Sequence, residues 1–466
     1  MKTKLTFLSY IGILLLVVVY QGCVRNDKTG KFAATVTPQP LPSVVPGFNF
    51  PEDSSKIYKW LANKDTVSIT KHAWGIWAGL TANSNQIFIA DTLRIYETWL
   101  GISDIATLCA NNDSLGGCNP TKSTREKLSF PHQLTHTFGT SIKPKILNNP
   151  GFYVSVAYNP SAACWATTKL LLNQSTITKS WDTSRIGKIK PFPKRSITTK
   201  PTYYIGRIRD KYIRIPAWQG PPTNWGQVYS EPQWNSYIYI DVNNKQTPGK
   251  IAVPVDSSQT NPPATAIVNL NEFIYYPIDS LAAAYINTQQ QGQAGPVIKG
   301  DLAILVCMHV ATKEISNWTW QTFFWTTNPA QPDFPSSIWQ AKLQPTQLKG
   351  AAAHYAVSTA YAMVWPNQPI TGGTNKNVTP IIGYNPYLEP GLTAPFGNVN
   401  KLNKSYQYGM QTNCMTCHAF ATSNKTNGSL NYSADQYVDM NDNAIFNNWV
   451  QLDFAWSIQQ NLNTSK

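Results

Sequence analysis

The feature that most constrains this chain is a pentapeptide near its C-terminus, Cys414-Met415-Thr416-Cys417-His418. Two cysteines at this spacing followed by a histidine form the attachment motif of a c-type haem, whose two vinyl groups bond to the thiols. The histidine then reaches the iron as proximal ligand. The alternatives are a disulfide within the motif or half of a zinc site, although no second cysteine pair lies nearby. We therefore predict one covalent haem c on Cys414 and Cys417, with His418 bound to iron.

The N-terminus predicts export. Two lysines precede an apolar run over residues 5–19, which has the length of a signal-peptide core and is short for a membrane span. Gly22-Cys23 follows, similar to the lipidation site of a bacterial lipoprotein, with Tyr20 where leucine is usual. An ordinary signal peptide or an uncleaved anchor is the alternative. We expect residues 1–22 to be a lipoprotein signal peptide and Cys23 to carry lipid, so that the chain is periplasmic and anchored to a bacterial membrane.

The cysteine count agrees with an oxidising compartment. Of seven cysteines, one is assigned to lipid and two to haem, which leaves Cys109, Cys118, Cys164 and Cys307. Cys109 and Cys118 flank a polar, glycine-containing loop, and we predict a disulfide between them. Cys164 and Cys307 are either a second disulfide or two buried free thiols.

Length and composition indicate a large, ordered, exported protein. The 466 residues include 33 prolines and 12% aromatic residues, and only 13% are charged, which is unlike a disordered chain. After the signal peptide we expect a flexible tether over residues 23–50, because this stretch is polar and contains several prolines. A large body of unknown role over 51–400 and a haem c attachment segment over 401–466 complete the predicted organisation.

Hydrophobic periodicity predicts an α+β fold. Residues 65–82 have helical spacing, and residues 203–215 alternate as a hairpin whose turn is Arg-Asp-Lys. Further alternating stretches make the middle of the chain a β-rich module with short helices and long ordered loops. Residues 434–461 predict one or two helices, so that the haem c segment is small and helical.

The positive charge indicates a type of partner. The formal net charge is +14, and residues 179–214 contain eleven lysines and arginines against two aspartates. Such a stretch is typical of a docking surface for an acidic redox partner, or of an ordinary solvated face. Export excludes nucleic acid as a partner.

Several stretches together resemble a family of largely uncharacterised, exported bacterial cytochrome c-like lipoproteins with one Cys-x-x-Cys-His motif. The resemblance lies in residues 72–81, 96–99, 308–314, 318–325, 384–389, 413–419 and 452–457. It implies a monohaem exported protein with a large additional region. It supplies no substrate, and the final Trp-Ser-Ile-Gln-Gln differs from the more basic ending of the family.

The sixth iron ligand decides what the haem does. A methionine ligand favours electron transfer, whereas an open position allows small-ligand or peroxide chemistry. Met440 is the only methionine after the motif, and no histidine follows the motif. We predict Met440 as distal ligand, with His354 as the alternative. His72 has the pattern of a packed core histidine.

Two main functions follow from these residues. The first is a membrane-tethered periplasmic c-type cytochrome that transfers single electrons. The second is a haem-dependent oxidoreductase or peroxidase-like enzyme whose upstream region forms a substrate pocket. A third hypothesis is a binding or scaffold protein in which haem only adds stability. No catalytic side chain is assigned.

Overall fold

The computed structural model describes residues 36–88, 91–111, 134–136, 152–182, 185–207, 211–224, 226–249, 251–256, 261–289, 296–392, 408–432 and 436–464. The predicted signal peptide, Cys23 and Cys118 lie outside these ranges. The helices are short apart from the second one. They are α1 Ser54–Ala62, α2 Thr66–Thr81, α3 Ile102–Ala110, α4 Pro160–Thr168, α5 Gln174–Ser180, α6 Ser280–Gln289, α7 Ile338–Ala341, α8 Cys414–Ala419, α9 Asn443–Phe446 and α10 Trp456–Gln459.

The strands occur along most of the described chain, and together with the helices they confirm the α+β class. They are β1 Asn83–Phe88, β2 Asp91–Arg94, β3 Leu100–Gly101, β4 Thr135–His136, β5 Phe152–Val154, β6 Ala157–Tyr158, β7 Gly187–Lys188, β8 Ile197–Gly206, β9 Tyr212–Pro216, β10 Tyr237–Asp241, β11 Ile267–Asn269, β12 Tyr275–Pro277, β13 Leu302–Thr312, β14 Thr319–Trp325, β15 Tyr355–Thr359, β16 Val364–Trp365, β17 Thr379–Pro380, β18 Thr422–Ser423 and β19 Val450–Gln451.

The largest sheet in the described part of the chain has the strand order β15-β14-β13-β8-β5-β4, with β12, β6 and β3 paired alongside. Its pairs are antiparallel. β13 is buried along nearly its whole length because protein covers both faces of the sheet. The sheet therefore provides a rigid floor on which other segments pack.

Helix α2 covers one side of this floor. The side chain of Asp65 accepts a hydrogen bond from the Ser68 N–H and caps the helix, as expected for an N-cap aspartate. Trp77 stacks on Phe323 of β14 with ring centroids 4.5 Å apart. The predicted helix over 65–82 is therefore confirmed to within one residue at each end.

The C-terminal segment does not form a core of its own. Its buried residues share one hydrophobic cluster with α3, α4 and the start of β14, among them Leu108, Ala163, Trp320, Met415 and Phe446. β19 pairs with β18 and also in parallel with β7, which lies more than 250 residues earlier in the chain. The boundary predicted at 400/401 consequently does not separate two cores.

One sequence prediction of local structure is wrong, and another is met only in part. The hairpin predicted over 203–215 does not form, because β8 pairs with β13, β5 and β6 while β9 pairs with β10 in another sheet. Of the one or two helices predicted over 434–461, the described residues 436–461 contain two, α9 and α10, each of four residues and with β19 between them. In both cases long-range pairing overrides the local pattern.

The second half of the predicted tether packs on the body. Val36, Leu41 and Phe48 are buried, and the Trp99 indole N–H donates to the Gln39 carbonyl at 2.8 Å. The ring of Phe48 lies where a Cβ on Gly75 would be, at 2.2 Å. The prediction of a flexible tether is therefore wrong for residues 36–50, since apolar side chains spaced along this stretch find pockets on the body.

The predicted disulfide between Cys109 and Cys118 is not formed. Cys109 has a free thiol, buried at the end of α3 and directed at the Ala166 carbonyl of α4, so it faces the core rather than the loop. Cys164 is disulfide-bonded, whereas Cys307 is free and buried. A Cys164–Cys307 pair is thereby excluded as well.

Within the ranges that the structure describes, every helix is too short or too polar to cross a bilayer.

Candidate functional site

The pentapeptide forms the short helix α8, held from its first turn. The Asn413 side chain accepts a hydrogen bond from the Thr416 N–H at 3.1 Å and thus caps the helix. The amide of the same side chain donates to the carbonyls of Ala362 and Ile381 at 3.0 and 2.9 Å. One asparagine therefore both starts the helix and fixes its position against the body.

The three chemically important side chains of α8 share one face. At about 100° per residue, Cys414, Cys417 and His418 lie within one arc of the helix, and Thr416 points to the opposite side. The burial agrees with this geometry: the two cysteines and the histidine are partly accessible, whereas Met415, Thr416 and Ala419 are buried. The helix thus presents two thiols and one imidazole together, as haem attachment requires.

His418 is oriented by two contacts from distant parts of the chain. Its Nδ1 lies 2.7 Å from the Phe454 carbonyl oxygen, so Nδ1 carries the proton and donates it. Its ring packs on Trp320 of β14 with centroids 4.1 Å apart at 37°. Among the described residues no protein group hydrogen-bonds to Nε2. A proximal haem histidine needs this tautomer, since a second-shell acceptor at one nitrogen leaves the other for the metal.

Burial keeps this imidazole neutral. Removal from water lowers the pKa of His418 to about 3, although the hydrogen bond to Phe454 opposes the shift. A neutral imidazole is the form that binds metals.

The two motif cysteines are free thiols. Cys414 donates to the Gly383 carbonyl at 3.2 Å, and no disulfide joins it to Cys417. Burial raises the pKa of both thiols above the usual range. In the described part of the chain no three His, Cys, Asp or Glu side chains converge as metal ligands. The donor set at α8, two thiols and one oriented imidazole, fits a covalently attached haem.

The sheet contributes the floor of the site. His309 of β13 lies directly opposite Thr322 of β14 and Lys200 of β8, so these three side chains point to the same face. Trp320 is opposite Ala311, two residues along from His309, and therefore shares that face too. Diagonal neighbours of this kind are about 7–8 Å apart, so the ring that supports His418 lies beside His309.

A carboxylate completes a polar cluster on this floor. Glu389 accepts from His309 Nε2 at 3.0 Å and from the Asn385 N–H at 2.5 Å. The Asn385 amide in turn donates to the Thr322 hydroxyl at 2.6 Å. Burial raises the pKa of Glu389, but the His309 charge and these hydrogen bonds outweigh it and hold the pKa below its usual value.

Lys200 brings a half-buried positive charge to the same place. Burial lowers its pKa, and the negative charge of Glu389 opposes the shift only in part. The charges of Lys200 and Glu389 both act on Cys417 and on His418. We call Lys200, His309 and Glu389 the floor cluster. It lies within electrostatic range of the accessible face of α8.

The two predicted distal ligands are not placed on that face. The carbonyl of His354 accepts a hydrogen bond from the Thr326 N–H. Thr326 lies six residues after Trp320 along the strand direction, so about 20 Å of extended chain separates Thr326 from Trp320. The side chain of His354 faces Glu272 at 3.9 Å instead. The structure therefore does not bring His354 to the face of α8, because pairing with the end of β14 holds it at the far end of the sheet.

Met440 is buried behind α8. Its backbone N–H donates to Ile370, and its carbonyl accepts from Gln451. Gln436, in the same segment, accepts from Thr416 on the helix side opposite His418. Met440 therefore lies in the buried cluster that also contains Met415 and Ala419 of α8.

Sequence reasoning missed the floor cluster as a unit. Alternation along β13 directs Met308 and His309 to opposite faces, and Met308 is buried while His309 is partly accessible. No local pattern showed that Glu389, 80 residues later, would pair with this histidine. Lys200 was part of the predicted basic stretch, which gave no signal that it lies opposite His309 in the sheet.

Comparisons with protein-family models, with curated proteins and with solved structures gave no match.

Proposed function

We propose that this protein is a periplasmic c-type cytochrome that carries one covalent haem and transfers single electrons. The observation that carries the proposal is the orientation of His418, whose Nδ1 is fixed on the Phe454 carbonyl while its ring shares a partly accessible helix face with Cys414 and Cys417. A packed core histidine satisfies both ring nitrogens within the protein. Here one nitrogen is left for a metal, next to two free thiols.

Each side chain has a defined task. Cys414 and Cys417 would hold the haem through thioether bonds to its two vinyl groups, and Nε2 of His418 would be the protein ligand of the iron. When bound, the haem supplies a ferric/ferrous couple that accepts one electron from a donor and passes one to an acceptor. Trp320 and the Phe454 carbonyl keep the imidazole from rotating.

The proposed location follows from the N-terminal sequence. Residues 1–22 have the pattern of a lipoprotein signal peptide, and Cys23 is then the lipidated first residue. The described residues contribute no membrane-spanning helix. A lipid anchor would hold the haem segment near a membrane surface on the periplasmic side.

An acidic redox protein is the proposed partner. Lysines and arginines of the stretch before β8 are exposed around β7, which pairs with β19 of the C-terminal segment. Lys188 donates to Asn441 of that segment at 3.1 Å. The basic surface therefore adjoins the part of the chain that contains the haem motif, as a docking surface for electron transfer requires. Its exposed members are Lys179, Arg185, Lys188, Lys190, Lys194 and Arg195.

The test is covalent haem attachment. The full chain is expressed with haem-maturation machinery, and the purified protein is analysed by intact mass and by the pyridine haemochrome spectrum. We expect one covalent haem in the wild type and none in Cys414→Ala/Cys417→Ala. Cys109→Ala, which removes another buried free thiol, is the matched control and should retain haem. A wild-type protein without haem mass and without an α-band would end the proposal.

The floor cluster favours a second candidate, a haem-dependent oxidoreductase with peroxidase-like activity. The Glu389 carboxylate can hold a proton on His309 Nε2, and burial of Lys200 disfavours a permanent charge. An electron carrier does not need this acid–base group. A high-spin ferric spectrum with peroxide turnover that is lost in His309→Ala would support the enzyme, whereas a low-spin spectrum that is unchanged in His309→Ala would support the electron carrier.

A further inference from the structure

We propose that Lys313 and Asp453 are positioning residues that set the reduction potential through the proximal histidine. Their ion pair holds the backbone at Asp453-Phe454 so that the Phe454 carbonyl reaches Nδ1 of His418. The inference rests on the proposed function for its redox consequence, and on the described contacts alone for its geometry.

Both oxygens of the Asp453 carboxylate accept hydrogen bonds. Lys313 Nζ lies 2.6 Å from Oδ1, and the Phe192 N–H donates to Oδ2 at 2.8 Å. The side chains of Lys313 and Asp453 are only 7% and 10% exposed, so solvent screens the pair little. Asp453 is thus clamped between the β13–β14 turn and the segment that precedes β8.

The clamped residues have an unusual backbone. Asp453 has φ 49° and Phe454 has φ 67°, which places two consecutive non-glycine residues in the left-handed region. Each such residue is energetically unfavourable, and an aromatic residue seldom adopts this conformation. The conformation directs the Phe454 carbonyl towards His418, where it accepts at 2.7 Å. Contacts to the Asp453 side chain are needed to hold a backbone that is unfavourable by itself.

Lys313 is itself fixed in place. Its ammonium donates to the Ser316 carbonyl at 2.6 Å and lies 5.5 Å from the centre of the Trp318 ring. Burial lowers the pKa of Lys313 and raises that of Asp453, so desolvation works against the ionised pair. Buried ion pairs of this kind give little net stability, which points to a positional role.

The redox consequence follows from the acceptor at Nδ1. A carbonyl that accepts the Nδ1 proton raises the basicity of the imidazole, which favours the ferric over the ferrous state. Loss of the clamp should lengthen this hydrogen bond and shift the midpoint potential to more positive values. Loss of the Lys313 charge alone would act in the opposite direction, because a nearby positive charge favours the reduced, less positive iron.

Two measurements test the inference: the sign of the shift in midpoint potential of the holoprotein, and the tautomer of His418 in the haem-free protein. In holoprotein we expect a positive shift of the midpoint potential in Lys313→Met and Asp453→Asn at unchanged haem content, and near-wild-type potential in Lys313→Arg. Lys56→Met, which removes an exposed lysine paired with Glu52, is the matched control and should leave the potential unchanged. A negative shift in Lys313→Met would show a simple charge effect and overturn the inference.

Ring-nitrogen NMR of the apoprotein tests the geometry without haem. The wild type should show His418 as the Nδ1–H tautomer, and Asp453→Asn, which keeps the shape of the side chain, should show a mixture of tautomers. An unchanged tautomer in Asp453→Asn would overturn the inference. If wild-type protein never acquires haem, the proposed function fails, while the tautomer still decides whether Lys313 and Asp453 position His418.

Discussion

His72 and His418 are two histidines in contrasting surroundings. His72, on α2, is 4% exposed, and its two ring nitrogens contact the Tyr361 hydroxyl at 2.8 Å and Glu314 at 3.2 Å. His418 has one nitrogen on the Phe454 carbonyl and lies on a partly accessible helix face. A histidine with both nitrogens satisfied inside a closed core has no position left for a ligand, whereas His418 has one.

The turn after β13 contributes one residue to the surroundings of each histidine. Lys313 points towards Asp453 and the haem motif, and its neighbour Glu314 points towards His72. Glu314 is fully buried and also accepts from the Thr312 hydroxyl and from the Glu52 N–H. Adjacent residues on opposite sides of one turn thus support a closed structural network and an open candidate site.

The largest effect should come from exchanging each histidine for alanine. His418→Ala removes the proposed proximal ligand, so we expect complete loss of the wild-type axial-ligand spectrum with little loss of stability. His72→Ala removes one hydrogen-bond partner from the buried Glu314 carboxylate and one from the Tyr361 hydroxyl and leaves a cavity, which should cost about 3 kcal/mol and leave the haem spectrum unchanged. Optical spectra and urea denaturation of both variants measure these outcomes. Similar spectra in the two variants would remove the distinction between the sites.

A smaller effect is expected from Glu314→Gln. The variant keeps the volume of the side chain, and the Thr312 hydroxyl can reverse its role and accept from the new amide. We expect a loss of about 1 to 2 kcal/mol in the free energy of unfolding at neutral pH, from imperfect hydrogen bonding in a buried network. Denaturant titration measures the loss. A neutral result would show that the closed network does not depend on the carboxylate.

The smallest effect should be the pH dependence of Glu389. Its pKa in the folded protein lies below the ordinary value of 4.5, so the ionised carboxylate stabilises the fold above about pH 4.5 and loses this contribution as the pH falls through the folded pKa. The stability difference between wild type and Glu389→Gln should therefore be present at pH 7 and shrink on acidification. Denaturation series at several pH values test this, and a difference independent of pH would contradict it.

Local patterns predicted part of the fold. The helix over 65–82 was found because its apolar spacing and its capping aspartate act within one element. The hairpin over 203–215 was wrong because strand partners are chosen across the whole sheet: β8 selects β13, about one hundred residues away in sequence. The disulfide of Cys109 was wrong because a local loop pattern does not show that the thiol faces α4.

The sequence by itself determined the attachment motif. Cys414, Cys417 and His418 occupy one turn of helix, so their spacing alone brings two thiols and an imidazole to one face. The tertiary structure decided everything around them. Phe454 lies 36 residues from His418, Glu389 lies 80 from His309, and Asp453 lies 140 from Lys313. Such contacts depend on sheet register and on the path of irregular segments, which are set by packing of the whole chain and not by any local spacing.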